Sequence, residues 1–394
     1  MSERRVYLEP LWLMRREFNE LLIKPPTGYE FVTTNNKSST LRKLSRFNLI
    51  YQLLNGTGRR LPMNLARAWS YSWTPVSQDI NLIYAVSHPS FQKHPWILDM
   101  RAEQPYIMAG GEKSFDNCRG IVCNLLKSKY CRSIIYECDA GKRALLQSLC
   151  IPELDPNIKI IPSGVPSRKF YKTENHDGKI KLLFVNSTNI NAGWNFNLKG
   201  GQILLSAFRS LKQEYPNLEL FIRSGIPENI KKSCQGLPGL RIVDKPLPWE
   251  ELESEFKTAD IFVMPTYVTP STVFLDAMSF ELPVITTDVW ANPEYIRDGE
   301  NGLLIHHPLA YKYTDGDIVH FDSPEYKKSL QTVDQDMVNE LVSAIRLLVE
   351  NADLRRKMGV AGRQWVEKEH SMDAWRSGLK KVLDEALDNQ NCSL

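Results

Sequence analysis

The sequence of 394 residues contains no run of about 18 apolar residues, the length that a helix needs to cross a membrane. Its first residues show no apolar segment with a small-residue cleavage site, so no signal peptide is predicted. No G-x-G-x-x-G turn follows a predicted strand, which argues against a nicotinamide-dependent oxidoreductase. The seven cysteines include no C-x-x-C pair, so neither a disulfide framework nor a zinc site is predicted. We therefore expect reduced thiols and a cytoplasmic location.

Charge is distributed unevenly along the chain. Residues 1–170 hold 24 Lys and Arg against 14 Asp and Glu, and the remainder holds 25 against 32, so charges of +10 and −7 sum to +3. A basic half favours an anionic partner such as lipid headgroups or a lipid phosphate, which would place the protein peripherally on the inner face of the membrane. A solvated basic face without a partner is the alternative. No recognised nucleic-acid module occurs, so no nucleic acid is expected as a partner.

A chain of this length suits two domains of about 150–200 residues each. In the second half, apolar strands alternate with amphipathic helices; the predicted strands are "KIKLLFVNST", "LELFIRSG", "LRIVDKP", "DIFVMPT" and "PVITTD". Such alternation predicts an α/β domain with a doubly wound parallel sheet. The first half repeats this pattern less clearly, with "YEFVTTN", "INLIYAVSH", "WILDM", "RSIIYECD" and "IKIIPSG" as its strand-like segments.

We predict Rossmann-like domains at residues 1–166 and 167–372. Residues 373–394 contain an amphipathic helix that we expect to pack back on the first domain. Two helices are expected in residues 336–370, with a break near Gly359 and Gly362. Ligands of doubly wound sheets bind at the carboxyl ends of the strands, so two such domains facing each other would define a cleft.

Four segments carry a family resemblance: "IKIIPSGVPSRKF", "LLFVNST…LKGGQILLSAFRSL", "ADIFVMPT…FLDAMSFELPVITTD" and "PEYIRDGENGLLI". In this order they resemble the motifs of the retaining group 1 (family 4) glycosyltransferases, which have the GT-B fold. The resemblance spans about residues 157–305, and the first 150 residues match only loosely. It implies transfer of a sugar from a nucleotide-diphosphate sugar, UDP- or GDP-linked, to a glycan or glycolipid acceptor. It also implies retention of the anomeric configuration and no metal or other cofactor.

Lys199 and Gly200 open a predicted helix where the family has its phosphate-contacting Lys. The resemblance gives Lys199 a catalytic role, because a cation and a helix N-terminus can neutralise a departing diphosphate without a metal. The glycine would let the backbone approach the anion. A surface lysine beside a capping glycine is the alternative. Trp194 replaces the family's usual Arg, and Arg223 could supply the missing charge.

The segment "TPSTVFLDAM" provides the second candidate phosphate site. Ser271, Thr272 and Val273 lie at a predicted helix start, where free backbone N–H groups can bind phosphate oxygens. Ser or Thr there could equally be a simple N-cap. Asp276 matches the second acid of the family's E-x7-E pair, which holds the ribose hydroxyls, since a carboxylate can accept two hydrogen bonds from a vicinal diol.

The first acid of that pair is missing. Val268 lies eight positions before Asp276, and Thr269 takes the place if the loop is one residue short. In the family this acid contacts the transferred sugar, so Thr269 is the candidate for a catalytic position that has lost its charge. The loss supports a second hypothesis, a degenerate and catalytically inactive sugar-nucleotide-binding or scaffold subunit of the same fold.

Two further candidates come from the resemblance. Glu294 corresponds to the family's acid before "Y-I-x-D-G" and either contacts the donor or orders its helix. His88 follows a first-domain strand and matches the family's use of a histidine near the reacting sugar, although a lone histidine is also often structural.

Overall fold

The computed structural model describes residues 3–9, 16–33, 62–73, 76–101, 104–168, 178–188, 192–310 and 323–388. The chain divides into two compact units. The described residues of the first unit are those up to Gly164 and those from Asp373 onwards, whereas those of the second lie between Val165 and Met372.

The first unit contains a parallel sheet of six strands in the order β2-β1-β3-β4-β5-β6. Its strands are β1 (Arg4–Leu8), β2 (Tyr29–Val32), β3 (Leu82–Val86), β4 (Trp96–Arg101), β5 (Cys131–Tyr136) and β6 (Ile158–Ile160). Its helices are α1 (Arg16–Ile23), α2 (Met63–Tyr71), α3 (Glu112–Leu126) and α4 (Asp139–Leu149). The central strands β3 and β4 are buried throughout, as expected for parallel strands covered on both faces. Strand β1 was not predicted from the sequence, because five residues are too few to show a clear alternation of apolar and polar side chains.

The second unit also contains six parallel strands, in the order β12-β11-β10-β7-β8-β9. They are β7 (Ile180–Val185), β8 (Leu218–Arg223), β9 (Leu240–Val243), β10 (Ile261–Val263), β11 (Val284–Thr287) and β12 (Gly302–Ile305). The helices are α5 (Ala192–Leu198), α6 (Gly201–Glu214), α7 (Glu228–Ser233), α8 (Trp249–Thr258), α9 (Ser271–Ser279), α10 (Asn292–Tyr295), α11 (Pro324–Ser329), α12 (Gln335–Glu350) and α13 (Ala352–Glu369). The predicted fold class, two doubly wound Rossmann-like domains, is confirmed.

The predicted helix break at Gly359 and Gly362 is wrong. The chain breaks at Asn351, whose side chain caps α13 by accepting a hydrogen bond from the Leu354 N–H at 2.9 Å. Both glycines lie inside α13, and a Cβ atom on Gly359 would lie 2.1 Å from the carbonyl oxygen of Glu281. They therefore serve close packing of α13 against the end of α9.

The last helix, α14 (Met372–Asp388), lies in the first unit from Asp373 onwards. Trp375 is only 2% exposed, and the Tyr29 hydroxyl donates to Asp384 at 2.6 Å. Arg376 forms an ion pair with Glu20 at 3.4 Å. Apolar burial and polar contacts thus both join α14 to the first unit.

No helix in the described parts of the chain is long and apolar enough to cross a membrane.

Candidate functional site

The predicted donor-binding residues follow the carboxyl ends of strands in the second sheet. Lys199 comes after β7 and α5, and Arg223 ends β8. Thr269 and Ser271 follow β10, whereas Glu294 follows β11. These strands are parallel and occupy consecutive places in the sheet, so their carboxyl ends form one edge. That edge is where ligands of doubly wound sheets bind.

The turn before α6 is attached to the loop after β10. The carbonyl oxygen of Leu198 accepts hydrogen bonds from the Tyr267 N–H at 2.9 Å and from the Thr266 hydroxyl at 3.2 Å. Gly200 has φ +74°, and a Cβ atom there would lie 1.9 Å from the carbonyl oxygen of Pro265. Packing against Pro265 therefore requires the glycine, and the two candidate phosphate-binding segments lie together.

Lys199 is a partly buried cation. Within the part of the chain that the structure describes, no carboxylate pairs with its Nζ. Burial lowers the pKa of Lys199 to about 7, because desolvation disfavours the ammonium form. A bound phosphate would supply the missing negative charge.

Arg223 is a second cation at this edge. Its Nη1 donates to the carbonyl oxygen of Asn186 at 2.5 Å, while its buried Nε makes no hydrogen bond. Burial lowers the pKa of Arg223, and no carboxylate partner exists for it among the described residues. The Asn186 side chain also accepts from Asn195 at 3.1 Å, which ties α5 to the same edge. Trp194, where the family has an Arg, is half-buried in α5.

Helix α9 begins without a side-chain cap. Pro270 occupies the N-cap position. The alternative from the sequence, in which Ser271 or Thr272 is a simple N-cap, is therefore wrong. The Val273 N–H donates to the carbonyl oxygen of Pro270 at 3.1 Å. The Val273 N–H is thus not one of the free N–H groups that the sequence predicts. Ser271 is buried and Thr272 is exposed, so Thr272 lies on the accessible side of the first turn of α9.

The loop before α9 contains no carboxylate, because Val268 and Thr269 stand where the family has an acid. The Val268 N–H donates to the Thr266 hydroxyl at 3.3 Å. The hydroxyl oxygen of Thr269 is buried and has no hydrogen-bond partner. Such an unpaired group costs about 1–3 kcal/mol, which a ligand hydroxyl would recover.

Asp276 already has a cationic partner. It is 8% exposed, and Nη2 of Arg168 donates to its Oδ1 at 3.2 Å. The Arg168 guanidinium lies 4.5 Å from the ring centroid of Trp249. A ribose would have to share Asp276 with Arg168 or displace it. Sequence reasoning missed Arg168, because nothing local in the sequence signals this long-range contact.

The loop after β11 supplies buried polar groups that the sequence analysis missed. The Asn292 amide donates to the Thr287 hydroxyl at 3.1 Å, and that hydroxyl donates to the carbonyl oxygen of Thr266 at 2.5 Å. Trp290 has φ +47°, and its buried indole N–H makes no hydrogen bond. The buried Oδ1 of Asn292 also has no hydrogen-bond partner. Glu294 is half-buried in α10. Trp290 and Asn292 are thus further candidates for contact with a polar ligand.

In the first unit, His88 follows β3 and is buried. Burial lowers the pKa of His88 to about 4, so the imidazole is neutral near pH 7. Its Nδ1 lies 3.8 Å from Oε2 of Glu9, which is fully buried. Burial raises the pKa of Glu9 to about 8, although the Ser90 hydroxyl donates to its Oε1 at 2.8 Å. Glu9 was not predicted, since nothing in its neighbouring residues indicates that this acid is buried.

The described residues contain no cluster of three or more His, Cys, Asp or Glu side chains placed to hold a metal ion.

Comparison with known proteins places the similarity mainly in the second unit. Residues 183–313 match the family model described as Glycosyl transferases group 1. The chain is 26% identical over 167 residues to alpha-maltose-1-phosphate synthase of Mycolicibacterium smegmatis, covering 40% of this chain and 38% of that protein. It is 31% identical over 156 residues to D-inositol 3-phosphate glycosyltransferase of Arthrobacter, covering 37% of this chain and 35% of that protein. The matches thus span little more than a third of these relatives.

Solved structures match nearly the whole chain. Sucrose-phosphate synthase from Thermosynechococcus elongatus has a TM-score of 0.62 at 14% identity and covers 98% of this chain and 100% of its own. A glycosyltransferase from Rickettsia africae has a TM-score of 0.61 at 13% identity, covering 99% and 100%. Anabaena HepE, solved with UDP and glucose, has a TM-score of 0.58 at 12% identity, covering 97% and 100%. The chain therefore has the GT-B fold, and its second unit is related to the group 1 glycosyltransferases.

Proposed function

We propose that this protein is a metal-independent, retaining glycosyltransferase of family 4 that moves a sugar from a nucleoside diphosphate sugar to a hydroxyl group of a glycan or glycolipid. The observation that carries the proposal is the environment of Lys199. Its ammonium group is desolvated, has no carboxylate partner among the described residues, and follows a turn bonded to the loop that leads into α9. Such a site suits the diphosphate of a sugar nucleotide.

In the proposed reaction, the bond between the sugar anomeric carbon and the phosphate oxygen breaks, and the nucleoside diphosphate leaves. The acceptor oxygen forms its bond on the same face of the sugar, and its proton passes to the leaving phosphate oxygen. Lys199 and Arg223 stabilise the negative charge that develops on the diphosphate, and the positive end of the α9 helix dipole adds to this. These groups supply the electrostatic role that a metal ion would otherwise have. UDP or GDP is the proposed nucleotide.

Recognition of the ribose and the sugar is proposed for the polar groups around α9. Asp276 would bind the ribose hydroxyls in competition with Arg168. The Thr269 hydroxyl, which is buried and unpaired, would bind a hydroxyl of the transferred sugar. A hydroxyl cannot stabilise a cationic sugar ring as a carboxylate does, so we expect a slow enzyme or an unusual donor sugar. Glu294 is proposed as an additional donor contact.

The missing carboxylate also supports the second candidate, a protein that binds a sugar nucleotide without transferring the sugar. The loop from Pro265 to Ser271 contains no acid, and Asp276 is ion-paired. The excess positive charge of residues 1–170 supports an anionic acceptor, such as a lipid-linked glycan, at a membrane surface in the cytoplasm.

Calorimetric titration with UDP, GDP, ADP and their common sugar conjugates tests the proposal. We expect one nucleotide to bind. Lys199→Ala should lower the affinity for this nucleotide by about 10- to 100-fold, as for loss of a charged hydrogen bond. Lys232→Ala removes an exposed lysine of the same unit and should leave binding unchanged. Nuclear magnetic resonance would give the anomeric configuration of the released or transferred sugar. A configuration equal to that of the donor would support retention.

The possible results separate the two candidates. Binding without any sugar release, with or without acceptor, would favour the inactive binding protein. Absence of binding by every nucleotide would overturn both. Equal affinity in Lys199→Ala and the wild type would remove Lys199 from the site.

A further inference from the structure

A carboxyl group and an imidazole lie together at the carboxyl edge of the first sheet. Glu9 follows β1 and His88 follows β3, and these strands are neighbours in the sheet. The Glu9 N–H donates to the carbonyl oxygen of Tyr84 at 3.0 Å, which holds Glu9 against β3. Oε2 of Glu9 lies 3.8 Å from Nδ1 of His88. The contact joins two residues far apart in the sequence.

The backbone before His88 is strained. Ser87 has φ +58°, a left-handed conformation that costs about 1–2 kcal/mol for a residue with a Cβ atom. Its N–H donates to the carbonyl oxygen of Asp99 at 2.9 Å, so the neighbouring strand holds this conformation. Backbone strain of this kind is concentrated at functional sites, and here it immediately precedes a buried histidine.

Two buried atoms of the pair lack hydrogen bonds. The Ser90 hydroxyl donates to Oε1 of Glu9 at 2.8 Å, whereas Oε2 has no hydrogen-bond partner. Nδ1 of His88 lies 3.4 Å from the carbonyl oxygen of Pro89, whereas Nε2 has no partner. Buried polar atoms are nearly always paired, so an unpaired imidazole nitrogen indicates a position that a ligand group completes.

We propose that Glu9 is a positioning residue for His88, and that it orients the imidazole so that Nε2 hydrogen-bonds a hydroxyl group of a sugar bound at the carboxyl edge of the first sheet. The carboxyl group, held by Ser90, and the Pro89 carbonyl both face Nδ1 and leave Nε2 for the ligand. This inference rests on the proposed function for the presence of a sugar. The pairing of Glu9 with His88 does not depend on it.

Burial, more than the surrounding charges, determines which group of the pair titrates near neutral pH. The pKa of Glu9 is about 8 and that of His88 about 4, so both are neutral at pH 7. The positive charge of Arg67 contributes to the low pKa of His88. Tyr71, whose ring centroid is 5.8 Å from that of His88, has a pKa of about 12, raised by its burial and by Glu9 and Tyr7. Ionisation of Glu9 above pH 8 favours a proton on Nδ1 and leaves Nε2 as an acceptor.

Nitrogen chemical shifts of the histidine rings, measured against pH, test the pairing without any turnover. In the wild type we expect the His88 resonances to shift with a midpoint near pH 8, the pKa of Glu9. Glu9→Gln keeps the shape of the side chain but cannot ionise, so the shift should disappear. Glu30→Gln, which removes a carboxyl group on β2 paired with Arg5, should retain it. A His88 shift that persists in Glu9→Gln, or is absent from the wild type, would overturn the proposal.

Kinetics test the link to the sugar. We expect Glu9→Gln to lower kcat by about 10- to 100-fold, as for a sugar held slightly out of its reactive position, with little change in KM. The double variant with His88→Gln should be no slower than His88→Gln alone, because Glu9 acts through His88. Additive losses would contradict this. A wild type without turnover would defeat the proposed function while leaving the chemical-shift test intact.

The source of the hydroxyl follows from two assays of His88→Gln. If the variant loses both donor hydrolysis in water and transfer, the hydroxyl belongs to the donor sugar. If it loses transfer alone, the hydroxyl belongs to the acceptor. If neither rate changes, His88 does not bind a sugar hydroxyl and the inference fails.

Discussion

Lys199 shows how the surroundings of one side chain can set the pH range over which an anion binds. Desolvation brings the pKa of its ammonium group to about 7 in the free protein. A phosphate beside it would favour the charged form and raise that pKa. Between the two pKa values, binding must therefore take up a proton, and affinity decreases as pH rises.

From this shift we predict that nucleoside diphosphate binding weakens above pH 7, by up to about tenfold per pH unit. The terminal phosphate of the ligand does not produce this trend, since its second pKa lies near 6 and its charge only grows with pH. Calorimetry in buffers of different ionisation enthalpy would measure the proton uptake. Lys199→Arg should abolish the uptake, because arginine stays protonated. Equal pH dependence in both proteins would show that another group titrates.

At the scale of elements, the proposed donor site depends on how the start of α6 meets the loop after β10. Gly200 combines a left-handed backbone with a direct contact to the Pro265 carbonyl. The same turn presents Lys199. The contact of Gly200 with Pro265 therefore helps to position the ammonium group of Lys199. A change in this contact should displace Lys199.

We predict that Gly200→Ala destabilises the protein by about 2–4 kcal/mol, the sum of a left-handed conformation and an overpacked contact. Gly236→Ala is the matched control, because Gly236 has a similar φ of +76° but no atom within 4 Å of an added Cβ. It should cost only about 1–2 kcal/mol. Denaturant unfolding measures both variants, and equal losses would show that the Pro265 contact relaxes freely.

At the scale of the whole molecule, the chain returns to its first unit after completing the second. Trp375 on α14 is buried there, with the Arg101 guanidinium 5.4 Å from its ring centroid. The described residues of the first unit thus include two stretches of chain that lie far apart in the sequence. We therefore expect its stability to depend on α14, which follows the whole second unit in the sequence.

Trp375→Ala should destabilise the first unit by about 3–5 kcal/mol, as for loss of a buried tryptophan. Trp69→Ala removes a tryptophan of the same unit that is 50% exposed, and it should cost less than about 1 kcal/mol. Denaturant unfolding followed by circular dichroism would report both. Nucleotide affinity at the second unit should remain near the wild-type value at low denaturant. A comparable loss in both variants would show that α14 adds little to this core.

Much of the second unit could be predicted because its signals are local. Each of the five predicted strands there is a short apolar run between helical segments, so sheet type and the positions of these strands followed from neighbouring residues, whereas β12, with only four residues, was not predicted. Lys199 and Gly200 could be proposed as site residues for the same reason, since their motif is contiguous. The first strand was missed because five residues in a basic segment carry too little pattern.

The sequence by itself determined the class of fold and the edge of the second sheet at which cations gather, because periodicity and short motifs act over a few residues. Only the tertiary structure decided which polar groups meet. The contacts of Arg168 with Asp276 and of Glu9 with His88 join elements far apart in the chain. Burial, which shifts the pKa values of Lys199 and Glu9, likewise depends on everything packed around them rather than on their neighbours in sequence.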